Sequence, residues 1–179
     1  MINVRSSILV LATAFAPAAY AASAAEIDHS VNETLQRFTE EIKGSENLLS
    51  ISKGVLVFPK VYKVGIGIGG EYGEGALRVG GKTVAYYNTV AGSFGFQLGA
   101  EAKSIVILFT DQSALNKFRS SEGWKVGVDG SVALVDVGIG KSIDTNTIKD
   151  PVIGFVFGQK GLMYNLTLEG SKFNKINPK

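Results

Sequence analysis

The sequence contains no cysteine. That excludes a disulfide framework, a thiol nucleophile, a cysteine metal site and a lipid anchor attached at a processed N-terminal cysteine. Histidine occurs once, at His29, so no second imidazole is available to share a metal ion with it. Tryptophan also occurs once, at Trp124, where a membrane barrel would carry aromatic girdles. Neither sign of charge dominates: 18 basic residues stand against 16 acidic ones, a formal net charge of +2. Duplex nucleic acid is therefore a poor partner, because its recognition demands a strongly basic domain. With only 4 prolines but 22 glycines, and no collagen-like period among them, the chain is rich in permissive backbone without being fibrous.

The 179 residues suffice for one domain with a real core. The N-terminus reads as a leader. Arg5 precedes an apolar run from Ile8 to Ala16, which falls well short of the roughly 20 residues that a spanning helix needs. Small residues follow at Ala19-Tyr20-Ala21 and Ala22-Ser23-Ala24, and either fits a peptidase that cleaves after A-x-A. The expectation is a signal peptide over residues 1–24, cut after Ala21 or Ala24, and a single domain over residues 25–179. Loss of Arg5 with the leader lowers the net charge to +1. The destination is outside the cytoplasm: periplasm, outer-membrane-associated, surface-exposed or secreted.

From Glu26 to Lys43 the residues Ile27, Val31, Leu35, Phe38 and Ile42 recur at helical spacing, with acids in the first turn and Gly44 as a stop. A short helical turn from Ser45 through Leu48 and Ile51 follows. After Lys53 the period becomes two. Strands are expected at Gly54–Pro59, Val64–Tyr72, Thr83–Asn88, Gly92–Ala100 and Ser104–Phe109, with a hairpin turn at Gly80-Gly81-Lys82. A helix interrupts from Asp111 to Arg119. Strand pattern resumes at Trp124–Val137, Val152–Gly158 and Leu162–Leu168, with a polar loop from Ser142 to Pro151. The expected fold class is α+β, mainly β: an antiparallel meander curling toward a barrel, with an N-terminal amphipathic helix and one internal helix. In Val64-Gly65-Ile66-Gly67-Ile68-Gly69 alternate glycines leave one strand face as bare backbone, which a packed helix or a tightly curved sheet would approach.

Catalytic patterns fail on context. Gly65, Gly67 and Gly70 satisfy G-x-G-x-x-G, but Glu71-Tyr72-Gly73-Glu74-Gly75 follows where a phosphate-binding helix must open, so no nucleotide is expected. No G-x-S-x-G elbow accompanies His29, and Glu40 and Glu41 are adjacent on a helix and point apart. The expectation is a non-enzymatic protein without a cofactor. A binding surface has better support: Lys53, Lys60 and Lys63 fall in a stretch free of acids, and Arg78 and Lys82 sit at the next hairpin. Gathered together, these five would hold phosphate head groups, each basic residue contributing about 1 kcal/mol near an anionic surface.

The run Lys53-Gly54-Val55-Leu56-Val57-Phe58-Pro59-Lys60-Val61, the glycine-alternating strand after it, Gly92-Ser93-Phe94-Gly95-Phe96-Gln97-Leu98-Gly99-Ala100-Glu101, the strand–helix pair from Ile105 to Phe118, and Trp124-Lys125-Val126-Gly127-Val128-Asp129-Gly130-Ser131-Val132-Ala133 together resemble the SYLF domain family. The resemblance implies binding of membrane phospholipids, phosphoinositides in eukaryotic members, with an amphipathic N-terminal helix engaging the membrane and, in some members, contact with actin. For an exported bacterial chain the transferable part is phospholipid binding, and Leu35 and Phe38 become candidate lipid contacts beside the five basic residues. The helix departs from that role in charge, since Glu26, Asp28, Glu33, Glu40 and Glu41 outnumber Arg37 and Lys43. Facing an anionic surface, that excess costs about 3 kcal/mol, against a gross gain of roughly 7–15 kcal/mol from burying its apolar face in lipid. Docking on the sheet offers the same gain. The rival class is a small outer-membrane β-barrel, whose signature is alternating strands behind a leader.

Overall fold

A computed structural model of the protein describes residues 21–135, 149–160 and 168–179. Helix α1 spans Ala24–Glu41 and α2 Ser45–Ile51; two very long strands follow, β1 at Gly54–Val79 and β2 at Lys82–Phe109. Helix α3 (Gln112–Ser120) precedes β3 (Gly123–Lys125), β4 (Ala133–Leu134), β5 (Val152–Lys160) and β6 (Lys172–Ile176). The leader expected at 1–24 lies outside the described residues as far as position 20. So do most of the loop expected from Ser142 to Pro151 and of the strand expected from Leu162 to Leu168.

β1 and β2 form one antiparallel hairpin, in register from Gly54↔Phe109 to Val79↔Lys82. The five segments expected between Gly54 and Phe109 are thus parts of two continuous strands. Gly80 and Gly81 close the hairpin with φ of 58° and 76°, the left-handed pair that a two-residue turn requires. Fully extended, 26 residues would reach about 85 Å, several times the radius of a domain this size, so the hairpin has to fold over. The crossing point lies at Gly73 and Gly75. A Cβ on Gly73 would come within 2.6 Å of the Lys60 carbonyl oxygen, and one on Gly75 would overlap that of Val57. Register shifts at Phe58/Val61 and Gly65/Gly67 supply the curvature between the two halves.

The result is a half-barrel. On the far edge of β2, its first half pairs with β6 at Tyr86↔Ile176 to Val90↔Lys172, and its second half pairs with β5 at Ser104↔Phe157 to Phe109↔Val152. β3 extends the sheet beyond β6, antiparallel, while β4 joins β5 in parallel at Ala133↔Ile153, the one parallel strand pair among the described residues. The strand expected from Trp124 to Val137 is therefore broken, its end lying outside the described residues. Gly127 turns with φ 85°, the Asp129 carboxylate accepts from the Lys125 amide at 2.7 Å, and the two pieces join different parts of the sheet.

Alternation puts Leu56, Phe58, Leu77, Ile105, Ile107 and Phe109 on the inner face with Leu115 and Phe118 of α3. Phe118 meets Tyr87 at 5.0 Å and Phe109 at 4.9 Å between ring centroids, and Trp124 stacks on Phe173 at 5.9 Å. The opposite face, Val55, Val57, Val106, Leu108, Ile153 and Phe155, is covered by Ile27, Val31 and Phe38 of α1 and by Ile42 just after it. α1 begins two residues before the expected start because Ser23 and Glu26 form a reciprocal capping box, and it ends early because Ile42 turns extended to bury its side chain.

Candidate functional site

Where β1 bends beneath α1, Pro59 interrupts the strand. It has no amide to donate, and the chain bulges between Phe58 and Val61, while the Ser104 hydroxyl donates to the Pro59 carbonyl at 2.8 Å. The bulge turns Lys60 and Tyr62 outward. Two adjoining cavities open on either side of them, about 390 and 360 Å³, both lined by Ser30 of α1 and by Pro59, Lys60 and Tyr62 of β1.

The larger cavity runs toward the N-terminus of α1 and is walled by Tyr72, Glu74 and Ala22. Tyr62 is 51% exposed and Tyr72 45%. The Tyr72 hydroxyl donates to Glu74 at 2.8 Å; desolvation first, then this hydrogen bond to a carboxylate, pushes its pKa above the usual tyrosine value, so it stays a neutral donor. Lys60 is exposed and makes no ion pair among the described residues. A cation lining the same cavity as two half-exposed amphipathic rings matches the chemistry of a membrane–water interface, where the ring bodies meet acyl chains and the polar tips meet head groups.

The smaller cavity is walled by Arg37, Lys103 and Ser104. Lys103 is buried, its side chain 4% exposed, with Nζ 2.6 Å from Glu71 Oε2; Lys63 Nζ lies 3.8 Å from Oε1 of the same carboxylate. Lys103 and Lys63 thus share the Glu71 carboxylate beside the bend. Arg37 reaches Glu41 at 3.0 Å and lies over the Phe157 ring at 5.6 Å.

Of the residues expected to bind lipid, Lys53, Lys60 and Lys82 are exposed. Lys63 is held by Glu71, and Arg78 is engaged by α1: its Nη2 donates to Asn32 Oδ1 at 2.9 Å and lies 3.5 Å from Asp28. About 30 Å of strand separates Lys53 from Lys63, and Lys82 sits at the hairpin tip, so the five do not gather into one patch. Leu35 is half-buried and Phe38 fully buried against Phe155 at 5.0 Å and Phe157 at 5.6 Å. α1 is also pinned by polar contacts, since Asp28 accepts from Thr83 at 2.6 Å and from the Tyr86 hydroxyl at 3.0 Å. His29 faces solvent beside Glu33 at 3.3 Å, and among the described residues no group of three or more acids or histidines could hold a metal ion.

Residues 90–177, from the middle of β2 through β6, match the family model Ysc84, described as Las17-binding protein actin regulator. That segment matches the SYLF domain family that the sequence resembles. No curated protein sequence matches the chain. The SYLF match takes in α3 and the Trp124–Phe173 stack, while Lys60, Tyr62, Tyr72 and Glu74 lie N-terminal to it, on the strand that pairs with its first element. Sequence reasoning passed over Tyr62, Tyr72, Glu71 and Lys103. Tyr62 had a visible signal, lying between Lys60 and Lys63; Lys103 had none, because its meaning depends on a fold-over that brings Glu71 to it.

Proposed function

We propose that the chain is an exported, non-enzymatic module of the bacterial cell envelope that binds membrane phospholipid, in the periplasm or at the outer membrane. The observation that carries this reading is the exposed Lys60 lining paired cavities together with Tyr62 and, in the larger one, Tyr72, a phosphate-attracting cation beside rings suited to the lipid interface. In this arrangement α1 serves as a wall of the cavities, with its apolar face committed to the sheet, and lipid contact through Phe38 requires α1 to undock. Among the described residues no helix is long and apolar enough to cross a membrane, and the apolar side chains inside the half-barrel are the reverse of a membrane barrel's polar lumen.

The test is co-sedimentation of the processed protein with phosphatidylglycerol vesicles against phosphatidylcholine vesicles, at low and high salt. Selective, salt-sensitive binding is expected, and its loss in a Lys60→Gln, Tyr62→Ser, Tyr72→Ser variant that remains folded. The family description favours a second reading, attachment to a protein partner. Equal indifference to both vesicle types would favour that reading.

A further inference from the structure

The start of α1 bears on how the chain is processed. The Ala22 amide donates to Glu74 Oε2 at 3.0 Å, across the mouth of the larger cavity, and Glu74 is held from its other oxygen by the Tyr72 hydroxyl at 2.8 Å. The Ala22 methyl packs against the cluster beneath α1. Ser23 caps the helix: its hydroxyl accepts from the Glu26 amide at 3.3 Å, and Glu26 Oε2 accepts from the Ser23 amide at 2.7 Å. Residues 22 and 23 are thus integral to the folded domain.

We infer that the leader is removed between Ala21 and Ala22, and that the new α-ammonium of Ala22 docks on the Glu74 carboxylate as an intramolecular ion pair. This rests on the reading of the chain as exported. The sequence offers two cleavage points, and the geometry separates them. Cutting after Ala24 would discard Ser23 and its capping box and would place a positive charge on the first turn of α1, where the helix dipole disfavours it. Cutting after Ala21 keeps the cap. The step is hydrolysis by a peptidase that accepts small residues: water adds across the Ala21–Ala22 bond, Ala21 leaves as a carboxylate, and the Ala22 nitrogen becomes an amine that is protonated at neutral pH. One amide donor toward Glu74 is thereby replaced by a charged group with three protons, which converts a neutral-donor hydrogen bond into a charge-assisted one. The charged and titratable groups around it among the described residues are Glu74, Tyr72, Tyr62 and Lys60 from β1, Glu26 from α1, which is committed to Ser23, and Lys179, whose main-chain oxygen accepts from the Ala24 amide at 3.2 Å.

Two measurements on the whole protein test this. The full-length chain is expressed in a bacterial host and the intact mass of the exported product determined; a product beginning at Ala22 is expected. Glu74→Gln is then introduced into that product and into a version retaining Ala21. The melting temperature should fall by about 2–4 °C in the first at pH 6, and clearly less in the second, whose amine is displaced by one residue. The difference should vanish by pH 10, since the pair exists only while the amine is protonated, below about pH 8 and a little above it. A product beginning at Ala25 would overturn the inference and leave export standing. A product retaining Met1 would overturn both. An Ala22 product whose response to Glu74→Gln matches that of the extended chain, or does not change with pH, would overturn the docking.

Discussion

Replacing Phe38 by alanine asks whether α1 is a wall of the domain or a detachable membrane element. Its ring is fully buried, 5.0 Å from Phe155 and 5.6 Å from Phe157 between centroids, in a cluster that also holds Val31, Val57 and Leu108. Truncation removes the transfer free energy of the ring and leaves a cavity that a β-sheet on one side and a helix on the other can only partly close, a loss of about 3–5 kcal/mol. For a chain of this length that lowers the melting temperature by roughly 6–20 °C, a large share of a typical stability of about 5–15 kcal/mol. Leu35, half-buried on the same helix, should cost clearly less when cut to alanine, about 1–2 kcal/mol. Urea titration followed by Trp124 emission reads both, because Trp124 is buried on the opposite face of the sheet and reports on global unfolding. A Phe38→Ala loss below about 1 kcal/mol, or a loss no larger than that of Leu35→Ala, would refute the docked helix.

Glu71→Ala should destabilise the fold by about 3 kcal/mol, because it strands the Lys103 ammonium in a buried site, and adding Lys103→Met should restore most of the loss; urea titration of the single and double variants decides it. Ser23→Ala bears on pH dependence. Hydrogen bonds from Ser23, backbone first and then side chain, hold the Glu26 carboxyl below its ordinary value of 4.5. A folded pKa below the unfolded one gives stability that is present above the unfolded value and lost as pH falls through the folded one. The stability gap between wild type and Ser23→Ala should therefore be wider at pH 7 than at pH 3, and a gap that does not narrow in acid would contradict the capping box.

The elements with strong local periodicity were legible. Ile27, Val31, Phe38 and Ile42 mark the buried stripe of α1, and Gly80-Gly81 the hairpin turn, because both follow from short-range geometry. The helix start was misjudged by two residues, although Ser23 and Glu26 carry the spacing of a capping box. The long strands were read as shorter pieces because glycine and proline punctuate them, and in this fold those residues mark bends and bulges within a strand. Gly73 and Gly75 show why: their lack of a Cβ admits the Lys60 and Val57 carbonyls from the other half of the same strand. That long-range crossing leaves no local pattern. It also decides the site. It pairs Lys103 with Glu71, and the docking of α1 diverts Arg78 to Asn32 and Asp28, so a linear cluster of basic residues could not reveal which cations remain available.

The central claim is that phospholipid is met at the mouth framed by Lys60, Tyr62 and Tyr72. Binding of the processed protein to phosphatidylglycerol vesicles, compared between wild type, the Lys60→Gln, Tyr62→Ser, Tyr72→Ser variant and a Lys53→Gln, Lys82→Gln control, measures it most directly. The account predicts that the triple variant loses at least tenfold in affinity, while the control, whose lysines line neither cavity, changes little. An unaltered triple variant beside a weakened control would contradict it.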